Sequence, residues 1–125
     1  MAALAKMRIL VVEDHADTAA SLSLLLSHAG ATVEVSANGK DCLSLVDEFR
    51  PDVILLDLGL PGMSGLEVAR EVRCIRHSPL LVALTGFAHQ QYRDEAGAAG
   101  IEHFLVKPCA IDDLLAVLGG LKNCA

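Results

Sequence analysis

Five polar residues stand at the ends of four apolar runs in this chain of 125 residues. Glu13 and Asp14 follow residues 9–12, Asp57 follows 53–56, Thr85 follows 80–84 and Lys107 follows 101–106. A continuously apolar run such as Val53-Ile54-Leu55-Leu56 reads as a strand buried on both faces. A carboxylate closing such a strand is not there for packing. In open α/β sheets, ligands bind outside the carboxyl ends of the strands. Three carboxylates, a hydroxyl and a lysine on that rim fit phosphate chemistry. Asp57 is the candidate nucleophile, because a carboxylate accepts a phosphoryl group as an acyl phosphate. Such a transfer needs mainly positioning and charge neutralisation.

Glu13, Asp14 and Asp57 set against Lys107 leave a charge of about −2 in one place, which calls for a cation. Hard carboxylate oxygens select Mg²⁺, Mn²⁺ or Ca²⁺ over zinc. Mg²⁺ takes one or two protein carboxylates, waters and a phosphate oxygen, so it fits best and Mn²⁺ could substitute. Lys107 would hold a phosphoryl oxygen as a point charge, with the Thr85 hydroxyl and backbone N–H groups completing the contacts. Taken singly, these residues have plainer readings. Asp14 could cap a helix, Asp57 could be a loop acid, and Thr85 an ordinary strand end. Their joint position at strand ends is what favours a site.

The elements that must position them alternate. Residues 9–12 form a strand, and 16–29 a helix with Leu22, Leu25, Leu26 and Ala29 on one face, stopped by Gly30. Residues 32–35 alternate as a half-buried edge strand. A helix over 39–50, ended by Pro51, carries Cys42, Leu45, Val46 and Phe49 on one stripe. The third strand is 53–56. Residues 59–64 with Gly65 form a glycine- and proline-rich loop, and the third helix follows with a stripe of Val68, Ala69, Val72 and Ile75. Strands are expected at 80–84 and 101–106. A polar helix near 90–99, weakened by Gly97, separates them and is an element able to move. A last helix over 111–121 turns Ile111, Leu114, Leu115 and Leu118 inward, as core first and dimer face second. The pattern is (βα)5, a parallel sheet with helices on both faces.

Length and composition fit one domain over residues 1–125 with an aliphatic core, 53% of residues being hydrophobic and few aromatic. The net charge of −6 and the lack of a basic cluster argue against direct nucleic-acid binding. No apolar run reaches the length of a membrane span. The first six residues are too short for a signal peptide, so a cytoplasmic location is expected. The chain stops just past the last helix, so no effector domain is expected within these 125 residues. Cys42, Cys74, Cys109 and Cys124 lack paired spacing and read as free thiols. Cys42 is a core residue, and Cys109 is a loop thiol near the rim. His15 reads first as a solvated residue at the first helix start, with a supporting role behind the acids as the alternative. His28, His77, His89 and His103 are too dispersed for a metal site.

The same residues carry a family resemblance. Val11-Val12-Glu13-Asp14, then Leu55 to Gly65 (LLDLGLPGMSG), Ala83-Leu84-Thr85-Gly86 and Phe104-Leu105-Val106-Lys107-Pro108 resemble the receiver domain of bacterial two-component response regulators. The likeness runs from about Arg8 to Leu121, and four motifs in order make it specific. It implies a flavodoxin-like three-layer fold with strand order 2-1-3-4-5. It implies that Asp57 is the phosphoacceptor. Asp14 would ligate Mg²⁺ directly, Glu13 would act through water, and the Gly59 carbonyl would complete the protein ligands. Thr85 and Lys107 would contact the phosphoryl group, Phe104 would be the switch aromatic, and the Lys107-Pro108 peptide would be cis.

The implied activity is acceptance of a phosphoryl group from a phosphohistidine of a histidine kinase or phosphotransfer protein. Thr85 and Phe104 would then move, changing the surface of the fourth helix, fifth strand and fifth helix. This is self-catalysed acceptance rather than enzymatic turnover. Gly59 and Phe87 offer no side chain to position an attacking water, so slow autodephosphorylation is expected. Phe104 lacks the hydroxyl of the common tyrosine, so no new hydrogen bond locks its inward state. The segments around Thr85 and Lys107 look somewhat like receivers fused to hybrid histidine kinases, which leaves a fused kinase or effector domain open. A monomer or weak homodimer is expected. A haloacid-dehalogenase-type phosphohydrolase would need an acid or threonine where Gly59 stands. A phosphorylation-independent binding module would have lost the acids or the lysine.

Overall fold

A computed structural model describes residues 4–58, 65–75, 79–85, 94, 97–101, 103–106 and 111–122, with Thr85, Val106, Ile111, Leu121 and Lys122 described by their backbone. Five strands alternate with helices: β1 (Arg8–Val12), α1 (Ala16–His28), β2 (Thr32–Ser36), α2 (Gly39–Phe49), β3 (Val53–Leu56), α3 (Gly65–Arg73), β4 (Leu80–Thr85) and β5 (His103–Val106). A C-terminal helix spans Ile111–Lys122. The strands are all parallel in the order β2-β1-β3-β4-β5, the flavodoxin-like topology.

Strand alternation divides the core into two layers. Leu10, Val12, Ile54, Leu56, Leu81 and Ala83 point to one face, against Cys42, Val46 and Phe49 of α2 and Val68, Ala69 and Val72 of α3. Ile9, Val11, Val53, Leu55 and Val82 point to the other, against Leu26 of α1 and Leu114 and Leu118 of the C-terminal helix. All four residues of β3 are buried, as its unbroken apolar run predicts.

Local chemistry ends the helices where expected. Past α1, Gly30 adopts φ 103°, its N–H donates to Ser27 O and the N–H of Ala31 to Leu26 O. This is the Schellman closure, and it needs a residue tolerant of the left-handed region. Asn38 caps α2 by accepting from the Asp41 N–H at 2.8 Å, and Arg50 in the left-handed region leads into Pro51.

Some sequence expectations shift. Leu25 is 44% exposed rather than inward, because Ala19, Leu22 and Leu26 centre the buried face and Leu25 falls at its edge. Ile75 leaves the α3 stripe. The helix tightens after Arg73 into i to i−3 bonds, Cys74 N–H to Glu71 O and Ile75 N–H to Val72 O, and the side chain turns outward. β4 runs one residue further, to Thr85, and β5 begins at His103. Ile101 is buried in the core without joining the strand. Leu4 was not expected in the core, yet it is fully buried and its N–H donates to Ala29 O at 2.8 Å. The expected fourth helix lies mostly outside the described residues, with Asp94, Gly97 and Ala98 helical. Among the described residues no helix is long and apolar enough to cross a membrane.

Candidate functional site at the carboxyl rim

Strand register sets the rim. Ser36, Val12, Leu56, Ala83 and Phe104 form one row across the five strands. The next residues along β1 and β3 are Glu13 and Asp57. Their backbones continue the ladder: the Glu13 N–H donates to Ser36 O and the Asp57 N–H to Val12 O, both at 3.0 Å. Two acidic residues therefore follow neighbouring strands at adjacent backbone positions. Glu13 is 3% exposed and Asp57 9%, so both carboxyl groups sit where water is scarce. Among the described residues every buried side-chain nitrogen and oxygen has a hydrogen-bond partner.

Asp14 and His15 carry the rim into α1. Asp14 is partly exposed, its side chain at 31%, and His15 is the N-cap residue of the helix. Asp14 thus does not cap α1. The donor atoms of Glu13, Asp14 and His15 all lie within 4.8 Å of one another. For His15 the structure favours the second of its two sequence readings, a place beside the acids, over simple solvation. Its ring is 75% exposed, but Nδ1 lies 3.1 Å from Glu13 Oε1, a contact that adjacency in sequence does not reveal.

Thr85 ends β4, paired with Val106, the last residue of β5. Lys107 is the next residue in the chain, so its expected place at the rim follows from β5. Lys107 itself, Gly59, the Lys107-Pro108 peptide, Phe87 and Cys109 lie outside the described residues. Phe104 pairs with Ala83, two residues before Thr85, and is half-buried against the α2/α3 layer.

Gly65 is a site residue that the sequence marks only as part of a turn. A Cβ there would stand 2.6 Å from Leu58 Cα and 2.7 Å from Asp57 O. The start of α3 thus presses directly on the Asp57–Leu58 peptide, and only glycine allows that approach.

Cys42 lies deep in the layer beneath, and burial pushes its thiol up to about 12. It is a protonated core residue at neutral pH, as expected. Cys74 is an exposed free thiol.

Residues 9–119 match the family model of the response regulator receiver domain. The chain is 37% identical over 115 residues to the two-component response regulator PhoP of Pseudomonas aeruginosa, covering 92% of this chain and 51% of PhoP. It is 36% identical over 114 residues to the response regulator MprA of Mycolicibacterium vanbaalenii, covering 91% of this chain and 49% of MprA. It thus spans about half the length of these two relatives. Among solved structures, the Vibrio cholerae chemotaxis protein CheY4 superposes with a TM-score of 0.87 at 30% identity, covering 94% of this chain and 99% of that one. The BeF3-activated DrrB receiver domain gives 0.85 at 27% identity, covering 94% and 97%.

Proposed function

Because the chain belongs to the response regulator receiver family of two-component systems, we propose that Asp57 accepts a phosphoryl group from a phosphohistidine of a histidine kinase or phosphotransfer protein. The observation that carries this reading is the pair of buried carboxylates, Glu13 and Asp57, leaving adjacent paired strands. A carboxylate oxygen of Asp57 forms the new O–P bond as the N–P bond of the donor breaks, and the imidazole departs with its electron pair. Burial keeps water from competing for the phosphoryl group. Thr85 and Lys107, at the ends of β4 and β5, would contact its oxygens.

The donor set fits a hard divalent cation: Glu13 and Asp14 bring carboxylate oxygens together, strand register places Asp57 at the same edge, and their like charges would be eased by a cation. Glu13, Asp14, Asp57 and the Gly59 carbonyl would hold Mg²⁺ or Mn²⁺. The bound ion would supply neutralisation of the charge on the transferring group. Phosphorylation would bias Thr85 and Phe104 toward a second arrangement and so change the surface around β5. The domain would act in the cytoplasm as an acceptor with slow loss of its phosphate, not as a turnover enzyme. Since PhoP and MprA are about twice as long, an effector or kinase segment in the full-length protein is part of this reading.

The test is incubation with acetyl phosphate and Mg²⁺, followed by intact mass. One added phosphoryl group is expected on the wild type and none on Asp57→Asn. Labelling that survives Asp57→Asn would sink the assignment.

A further inference from the structure

His15 occupies the N-cap of α1 with φ −83° and ψ 111°, yet its side chain makes no capping bond. A side-chain oxygen at this position would accept from a free N–H of the first turn and stabilise the helix, and histidine forgoes that gain. Its ring turns back over the acids instead. Nδ1 lies 3.1 Å from Glu13 Oε1 and 3.5 Å from Asp14 Oδ1, and the backbone N–H donates to the same Oε1 at 3.2 Å. Ligands on adjacent corners of an octahedron with bonds of about 2.1 Å stand about 3.0 Å apart. The spacing of Nδ1 from Glu13 Oε1 is near that value, and its spacing from Asp14 Oδ1 is wider. The ring is 75% exposed, so an ion arriving from solution can reach it, and ligation would replace the contact of Nδ1 with Glu13.

We infer that His15 is a further ligand for the rim's divalent cation and sets its selectivity. This rests on the reading of the rim as a metal-assisted phosphoacceptor site. Mg²⁺ is a hard ion that prefers oxygen. Imidazole nitrogen suits Ni²⁺ and Zn²⁺, and affinity for a nitrogen-containing site rises from Mn²⁺, itself mainly an oxygen-preferring ion, through Co²⁺ to Ni²⁺. Ligation uses the Nδ1 lone pair, with the ring proton on Nε2. The carboxylates alone serve Mg²⁺, while His15 adds affinity for the transition-metal ions, so the rim discriminates between them. A ring that only hydrogen-bonds Glu13 would add no such discrimination.

The experiment compares wild type, His15→Ala, His15→Gln and Asp57→Asn with Mg²⁺, Mn²⁺ and Ni²⁺ by calorimetry. Pulsed EPR of bound Mn²⁺ reads nitrogen coupling. His15→Gln keeps a hydrogen-bonding amide but removes the imidazole donor. Both His15 variants should lose nitrogen coupling and about tenfold or more in Ni²⁺ affinity, at least the loss seen when a residue beside a metal ligand is removed. Their Mg²⁺ affinity should stay within about twofold. Bound Mn²⁺ without nitrogen coupling in the wild type, or equal losses for all three ions, would overturn the ligand role. Nitrogen coupling that persists while Asp57→Asn leaves every affinity unchanged supports the His15 ligand but counts against Asp57 as part of the cation site.

Discussion

The two ends of β1 and β3 handle charge in opposite ways. At their amino ends the Arg8 backbone N–H donates to Asp52 Oδ2 at 2.8 Å. The Arg8 side chain donates through Nε to Phe49 O at 2.9 Å, and its guanidinium lies 4.4 Å over the Phe49 ring. A cation there satisfies the exposed carbonyl end of α2, a favourable end of the helix dipole for positive charge. At their carboxyl ends the same strands deliver Glu13, Asp14 and Asp57, three like charges. The charged groups of the amino rim are hydrogen-bonded within the chain to backbone groups, and the carboxyl rim gathers charge suited to something from outside. The first arrangement stabilises the fold. The second is what a site for a cation and a phosphoryl group requires, and it tends to cost stability.

Gly65→Ala gives the largest expected effect and tests how tightly the carboxyl rim is positioned. The added methyl must push back the Asp57–Leu58 peptide. Stability should fall by about 1–3 kcal/mol. Phosphoryl acceptance from acetyl phosphate should slow by about tenfold or more, since small misplacements of reacting groups are costly. Denaturant melts and initial rates report both. An unchanged rate would mean that the packing of α3 on Asp57 has no bearing on the chemistry.

Arg8→Ala probes the amino rim alone. Loss of the hydrogen bonds to Phe49 O and of the ring contact should cost about 1–3 kcal/mol. The acceptance rate of the folded protein should not change. A comparable loss of acceptance would break the contrast between the two ends.

Cys42, in the neutral layer between the rims, gives the smallest effect. Its thiol ionises near 9.0 when unfolded and is pushed up to about 12 by burial. The stability held by the protonated form is therefore complete below pH 9 and is lost as pH rises toward 12. Between pH 8 and 10, wild type should lose about 1 kcal/mol more than Cys42→Ala, as linkage requires. Chemical melts at the two pH values check this. Parallel pH slopes would mean that the thiol ionises freely in the fold.

How much of this was legible beforehand differs from residue to residue. β3 was plain because four consecutive apolar residues allow little else when both faces are covered. Glu13, Asp14 and Asp57 stood out because each breaks such a pattern at its end. The order of the strands came from the family likeness, because alternation of strands and helices fixes parallel pairing but not which strand sits beside which. Leu25 and Ile75 went astray because helical periodicity weakens at the edge of a stripe and beyond the last turn. Leu4 belongs to a segment too short to show any period. The contact of His15 with Glu13 depends on a side-chain rotamer, and the pressure of Gly65 on Leu58 depends on how a loop returns. Neither leaves a trace in residue type beyond the glycine itself.

The most direct measurement is to phosphorylate the wild type with acetyl phosphate and Mg²⁺, reduce the acyl phosphate with borohydride and map the product by peptide mass spectrometry. Reduction at Asp57 alone is expected, with none at Glu13 or Asp14 on the same rim. A product at another carboxylate, or none from fully folded protein with excess donor, would contradict Asp57 as the acceptor.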